Sequence, residues 1–144
     1  MGIVIDTSAL VDIERRAGAE DAETTAWNVL FLRIGDQPAA IPAIVFAEAL
    51  VGVELAANTK RAAVRRAHLD ALIAQVPVVD FDAQIAQVWA RLVATLRRSG
   101  QMIPANDLAV AATATHLAYA VLVGASGEKH FRAIDGLEVI TIDG

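Results

Sequence analysis

The sequence predicts an α/β fold in which a parallel sheet of about four to five strands is flanked by helices on both faces. Short apolar runs rich in β-branched residues alternate with longer segments of helical periodicity, as expected when helices join parallel strands. The 144 residues suit a single domain, residues 1–144, and no linker rich in proline or glycine divides them. Apolar residues make up 56% of the chain, which is enough for a sizeable core.

Five short runs rich in valine, isoleucine and alanine are the predicted strands. They are residues 2–5, 39–41, 76–79, 119–123 and 137–142. Six longer segments and one short turn are the predicted helices. They are residues 8–16, 20–34, 43–57, 59–75, 82–99 and 105–117, and the turn 131–134. Thr7 or Ser8 is expected to cap the first helix, and Asn106 is expected to cap the helix at 105–117.

Composition restricts the class of function. The formal net charge is −5, whereas a protein that coats nucleic acid is usually basic. This balance disfavours a general nucleic-acid binder but leaves open an enzyme that gathers carboxylates in one site. The sequence has no cysteine, which excludes a disulfide framework and a thiolate zinc site. Any metal is therefore expected to be a hard cation on oxygen ligands.

The apolar stretch at residues 108–125 resembles a membrane span but is predicted to be a buried helix followed by a buried strand. It contains threonine, histidine and tyrosine, lacks flanking basic anchors, and falls short of the ~20 residues needed to span a bilayer. The N-terminus does not match a signal peptide, because Asp6 and Asp12 interrupt its apolar run. The expected compartment is the cytoplasm, with no membrane partner.

Two acids lie where the chain is expected to reach the carboxyl edge of the sheet, which is the usual ligand side of an open parallel sheet. Asp6 directly follows the first predicted strand, and Asp107 opens a predicted helix. Each acid also has an ordinary interpretation. Asp6 would be a loop acid or a helix cap, and Asp107 would be an acid favoured by the helix dipole.

Glu48 is a third candidate because of its apolar surroundings. It stands in the segment IPAIVFAEALVGVELA, which has no lysine or arginine. A carboxylate buried there is costly unless it is paired or bound to a metal. Glu54 lies about 240° further round the helix and is expected to face solvent. The alternative is that Glu48 is partly exposed at the open end of its helix.

Three carboxylates that met at one edge of the sheet would repel one another, and one of them would tend to take up a proton. A Mg²⁺ or Mn²⁺ ion would remove that conflict and could activate a water to attack a phosphodiester. Asp6, Glu48 and Asp107 are therefore the candidate metal set, and the sequence alone leaves open whether they meet.

Four blocks of the sequence resemble the PIN-domain ribonucleases and, within them, the VapC-type toxins of toxin–antitoxin pairs. They are IVIDTSALV, IPAIVFAEALVG, IPANDLAVAATA and HFRAIDGLEVI, in this order and over nearly the whole chain. The resemblance implies a PIN fold, a divalent metal, endonucleolytic cleavage of RNA, a VapB-like antitoxin and homodimers. It makes Asp6, Glu48 and Asp107 the family's first, second and third acids. It also implies that Ser8 orients the first acid or a metal-bound water, and that Asn106 shapes the turn presenting the third.

One position departs from the family's pattern. The family often has Asp or Asn four residues before the phenylalanine of the last block, and this chain has Gly127 there. Glu128 is the candidate replacement as a fourth metal ligand. The ordinary interpretation of Glu128 is an exposed loop acid paired with Lys129. In that case water would take the place of the fourth metal ligand. His130 is expected to pack in the loop beside Phe131.

Binding RNA requires cations near the site, and basic residues are clustered in three of the predicted helices. They are Arg15, Arg16, Lys60, Arg61, Arg65, Arg66, Arg97 and Arg98. Each cluster equally suits a solvated helix face, so none is assigned to a phosphate contact. Because selective RNA cleavage usually targets loops and single strands, a tRNA or another structured RNA is the expected substrate class.

Apolar residues on several faces of the helix at 20–34, among them Trp27, Phe31 and Leu32, favour a groove for the antitoxin. The alternative is that the chain's own core covers them. Two other functions stay open. One is a non-catalytic PIN-like module that binds RNA or protein, for which Gly127 is the only support. The other is a phosphatase with Asp6 as nucleophile, although such enzymes want a second aspartate where this chain has Ser8.

Overall fold

A computed structural model describes residues 1–17 and 24–143 of the chain. The strands in this part are β1 (Ile3–Ile5), β2 (Ala39–Pro42), β3 (Val78–Val79), β4 (Ala120–Val123) and β5 (Val139–Thr141). They form one sheet in the order β3-β2-β1-β4-β5, and every neighbouring pair is parallel. The predicted α/β class with a parallel sheet is therefore confirmed.

Helices connect the strands, as the parallel pairing requires. In the described residues they are α1 (Thr7–Ala17), α2 (Thr24–Ile34), α3 (Ala43–Glu54), α4 (Thr59–Gln75), α5 (Ala83–Arg98), α6 (Ala105–Leu117) and the short α7 (Glu128–Arg132). The bounds of α4 and α6 are the predicted ones. The predicted helix at 20–34 is helical from Thr24, and residues 20–23 lie outside the described part of the chain.

The centre of the sheet is fully buried. No side chain of β1 is exposed, and every residue of β4 is buried. Continuous apolar runs of this kind belong to strands covered on both faces. The register pairs Ile5, the last residue of β1, with Leu122, so β1 and β4 end within one residue of each other. The residues that follow them are thereby placed side by side at the carboxyl edge of the sheet.

Helix α6 packs against the sheet and against α5 through small side chains. Ala111, Ala112 and Ala114 are fully buried, and the hydroxyl of Thr113 donates to the carbonyl of Ala109 within the helix. Small residues allow close approach of the backbones, which fixes the position of the first turn of α6. The predicted succession of buried helix and buried strand is confirmed. No helix among the described residues is long and apolar enough to cross a bilayer.

The starts of α1 and α6 differ from the prediction. Asp6, and neither Thr7 nor Ser8, caps α1, because its Oδ2 accepts the backbone N–H of Ser8. Asn106 does not cap α6. The helix begins immediately after Pro104, whose extended backbone (φ −53°, ψ 141°) ends the preceding segment, so Asn106 is the second helical residue and shapes no turn.

Strands β1, β3, β4 and β5 are shorter than predicted, β2 is one residue longer, and α7 begins three residues earlier than the predicted turn at 131–134. Pro42 ends β2 and precedes α3 rather than lying in its first turn. These differences leave the order of elements unchanged.

Candidate active site

Asp6 is a buried acid at the carboxyl end of β1, with 4% of its surface exposed. Its Oδ2 accepts two hydrogen bonds from Ser8, one from the backbone N–H at 3.1 Å and one from the hydroxyl at 2.6 Å. The first turn of α1 therefore both buries this carboxylate and fixes its orientation.

The hydroxyl of Ser8 links two neighbouring strand ends. It donates to Asp6 and accepts the backbone N–H of Gly124, just after β4, at 3.0 Å. One turn further along α1, the Oδ2 of Asp12 accepts the N–H of Ala125 at 2.9 Å. These contacts fasten the loop after β4 to α1. Of the two roles expected for Ser8, this geometry corresponds to orienting the first acid.

Asp107 is the third residue of α6, where the helix dipole favours a negative charge. Burial raises the pKa of Asp6 above its ordinary value, and the charge of Asp107 raises it further. Hydrogen bonds from Ser8 and Thr7 act in the opposite direction without cancelling the rise. The charge of Asp107 therefore acts on the carboxylate of Asp6 across the two elements.

Glu48 does not have the buried surroundings that its sequence suggests. Only Val45 in α3 is buried, and Glu48 itself is half-buried. Its Oε1 accepts a hydrogen bond from the hydroxyl of Thr7 at 2.7 Å. Of the two interpretations that the sequence left open, the half-buried position of Glu48 corresponds to the partly exposed acid. The structure still joins Glu48 to the residue next to Asp6.

Gly127 packs directly against the acid. A Cβ atom added there would overlap the hydroxyl of Ser8 and lie 3.0 Å from Oδ2 of Asp6. The family's acid at this position therefore has no room in the loop of this chain. Glu128 forms an ion pair with Arg132, one turn along α7, at 2.7 Å. This contact is with Arg132 rather than the expected Lys129.

His130 contacts the site, contrary to the expectation that it packs in the loop. Its Nδ1 lies 2.6 Å from Oδ2 of Asp107, across 23 residues of sequence. The sequence offers little sign of this contact. The one available signal is Phe131, whose burial in the core fixes the direction of its neighbours in α7.

An open groove of about 740 Å³ runs from Thr7 and Glu48 between α1 and α4. Its lining includes the basic residues Lys60, Arg61 and Arg65 and the buried rings of Trp27 and His68. Trp27 Nε1 donates to the carbonyl of His68 at 2.9 Å, and the two rings pack edge to face. Within the described residues, Nε2 of His68 is buried without a hydrogen-bond partner.

The donor chemistry at Asp6 and Asp107 fits a hard divalent cation. Across residues 1–17 and 24–143, neither Asp6 nor Glu48 forms a salt bridge with lysine or arginine. The same residues contain no group of three or more acidic or histidine side chains arranged to hold a metal ion. The fit therefore depends on the Asp6–Asp107 pair. That number of carboxylates is usual for Mg²⁺, which keeps several waters and often binds substrate phosphate.

Comparison with known proteins places the chain in a family. The model of the PIN domain matches residues 3–137. The ribonuclease VapC1 of Rickettsia felis is 29% identical over 142 residues, which cover 99% of this chain and 97% of that protein. VapBC-5 of Mycobacterium tuberculosis, solved as a member of the VapBC family of toxin–antitoxin systems, is 31% identical. It covers 98% of each chain with a TM-score of 0.69.

VapBC2 of Rickettsia felis, solved bound to a DNA fragment from its promoter, has the same fold with a TM-score of 0.78. The match covers 98% of both chains at 23% identity. The fold is that of a PIN domain. The chain belongs to the PIN-domain family and, within it, to the VapC group.

Proposed function

We propose that this chain is the Mg²⁺-dependent endoribonuclease toxin of a type II toxin–antitoxin pair. The observation that carries the proposal is the buried carboxylate of Asp6, whose pKa the charge of Asp107 helps to raise and which forms no salt bridge among the described residues. Two neighbouring acids whose charge is not offset by lysine or arginine favour the binding of a cation. Membership in the VapC group supports RNA as the substrate.

In the proposed mechanism, Asp6 and Asp107 hold the ion, with Mn²⁺ as a substitute for Mg²⁺. When bound, the ion lowers the pKa of a water and offsets charge on the scissile phosphate. Ser8 keeps Asp6 in its binding orientation. The hydroxyl of Thr7 donates to Oε1 of Glu48. We therefore propose that Glu48 contacts waters bound to the ion rather than the ion itself. Glu128 remains a weaker candidate ligand because Arg132 holds it.

The proposed substrate is a loop or single-stranded part of a structured RNA such as a tRNA. A metal-assisted hydrolase can tolerate a net charge of −5 because the ion neutralises part of its acidic site. We place the protein in the cytoplasm, and we expect homodimers from its family.

The proposed protein partner is a VapB-like antitoxin docked in the groove between α1 and α4. The solved relatives that carry this fold include VapBC complexes. The groove has an apolar floor at Trp27 and Leu72 beside basic residues. Such a lining fits a segment with apolar anchors and acidic flanks. The unpartnered Nε2 of His68 at the floor is a further point for that segment to contact.

The test of the catalytic proposal is RNA cleavage by Asp6→Asn and Asp107→Asn at several Mg²⁺ concentrations. Each substitution removes a charged ligand, and we expect cleavage to fall by at least about a hundredfold while the fold persists. Asp70→Asn is the matched control, since Asp70 is a surface acid paired with Arg66. It should cleave like the parent chain.

Two outcomes would contradict the proposal. If both site variants cleave RNA like the parent, the acids are not the catalytic ligands. If the parent cleaves equally well in excess EDTA, the reaction does not need the ion. Unchanged RNA binding by a chain that never cleaves would instead identify a non-catalytic PIN module, and a stable phosphoryl group on Asp6 would identify a phosphotransferase.

A further inference from the structure

His130 makes the shortest contact to Asp107 in the described structure. The ring is 40% exposed and the carboxylate 24% exposed, and Nδ1 lies 2.6 Å from Oδ2. A neutral imidazole with its proton on Nδ1 donates to a carboxylate in this arrangement. The contact joins α6 to α7, two helices that are separated in the chain by β4.

The position of His130 is set by the core rather than by the surface. Phe131, the next residue, is fully buried and anchors the five-residue α7. The ring of His130 has few rotatable bonds, so an anchored backbone places Nδ1 with little freedom. The ion pair between Glu128 and Arg132 on the same helix is exposed and local. Pairs of that kind contribute little to structure, whereas the His130 contact spans two elements.

We propose that His130 is a positioning residue, which holds Oδ2 of Asp107 through its Nδ1–H and thereby fixes the orientation of that carboxylate. This inference rests on the proposed function, since it assigns His130 to the ion-binding acid. Residues hydrogen-bonded to metal-ligating side chains orient those ligands, and replacing them typically costs about 10- to 100-fold in metal affinity or activity. His130 would act on the ion only through Asp107.

Two substitutions distinguish the role of Nδ1 from the role of Nε2 in the His130 ring. In His130→Asn the side-chain amide nitrogen can take the place of Nδ1, whereas in His130→Gln the longer amide takes the place of Nε2. His116→Asn is the control for replacing a histidine, because His116 is exposed in the last turn of α6. Binding of Mn²⁺ is measured by calorimetry on the full chain without RNA, and cleavage is measured at saturating Mn²⁺. Thermal unfolding in EDTA reports whether each variant is folded.

We expect His130→Gln to bind Mn²⁺ about 10- to 100-fold more weakly than the parent. His130→Asn should bind and cleave nearly as the parent does, as should His116→Asn. Equal affinity of the Gln variant and the parent would overturn the inference. So would an Asn variant that binds Mn²⁺ normally but cleaves as poorly as the Gln variant, since the ring would then act on the RNA. A parent chain that binds no Mn²⁺ would contradict the proposed function itself.

Discussion

Gly127 determines how closely the loop after β4 approaches the carboxylate of Asp6. Its backbone is ordinary, with φ −95° and ψ −19°, so any L-residue could adopt it. Space is the constraint, because a Cβ atom would overlap the Ser8 hydroxyl. The glycine at this position therefore coincides with a close approach of the loop to the acid. A fourth acid at this position would have to displace Ser8.

We predict that Gly127→Ala disturbs the hydrogen bond from Ser8 to Asp6. Cleavage should fall by about tenfold or more, because small misplacements of reacting groups are costly. The overpacked site should also lose about 1–3 kcal/mol of stability. Cleavage kinetics and urea unfolding measure the two effects.

Gly52→Ala is the control for this substitution, since a Cβ atom at Gly52 in α3 meets nothing within 4 Å. It should leave cleavage unchanged and slightly favour the helix. Parent-like cleavage by Gly127→Ala would show that the close approach of the loop has no part in holding Asp6.

At the residue scale, position along the chain was more informative than chemical surroundings. Asp6 was predictable because an acid directly after a buried parallel strand must lie at the carboxyl edge of the sheet. Its capping role was not, because Thr7 and Ser8 are equally good caps by residue type. The apolar surroundings of Glu48 in the sequence did not predict its burial, because an apolar segment gives no sign of whether other elements pack over it. The contact of His130 depends on a distant helix and was missed.

At the scale of elements, helices were predicted better than strands. Helix α4 has its cap at Asn58, whose side chain accepts the N–H of Arg61, and both ends of this helix were predictable from local signals. The edge strand β3 is only Val78–Val79, although the apolar run begins at Val76. Pairing with a neighbour decides the length of a strand, and that neighbour is remote in sequence.

The groove between α1 and α4 and the exposed face of α2 are two different surfaces for a partner. The sequence pointed to α2, where Leu32 is 84% exposed, whereas Trp27 and Leu30 of the same helix are buried in the core. The chain's own core therefore covers part of the face that was expected to receive the antitoxin. The groove, by contrast, is a concave surface of about 740 Å³ whose lining includes Glu48.

We predict that Val64→Glu, in the groove, weakens binding of the proposed VapB-like antitoxin by at least about tenfold, because it places an unpaired charge in an apolar contact. Val64 is 38% exposed, so the unbound fold should tolerate the change. Leu32→Glu is the matched control and should bind normally. Titration of the purified partners measures both affinities. The reverse result, with loss only in Leu32→Glu, would move the antitoxin to the surface of α2.

For the whole molecule, the order of elements was enough to predict the parallel sheet and the edge at which its acids lie. Strands separated by helices leave few alternatives to a parallel arrangement. The distances between acids from different elements were not predictable, since they depend on how α3, α6 and α7 pack on the sheet. The structure places Asp6 within the influence of Asp107 and leaves Glu48 on Thr7. The proposed metal site is therefore centred on two acids rather than three.

This pair of acids has a consequence for the stability of the whole fold. The raised pKa of Asp6 means that the folded chain binds its proton more tightly than the unfolded chain does. The stability that this group contributes is present at low pH and is lost as the pH rises through the raised pKa. Without a cation at neutral pH, the ionised Asp6 destabilises the fold. Asp6→Asn removes the charge and keeps an oxygen to cap α1.

Thermal unfolding of the parent and of Asp6→Asn, with and without Mg²⁺, tests the central claim most directly. In EDTA at pH 7, the variant should be the more stable of the two, and the difference should shrink as the pH is lowered. Mg²⁺ at about a hundred times its dissociation constant should stabilise the parent by about 2.7 kcal/mol, or roughly 5–10 °C. The variant should gain much less. The claim that Asp6 binds the ion would be contradicted if the unfolding midpoint of the parent did not change with Mg²⁺. It would also be contradicted if Mg²⁺ stabilised both chains equally.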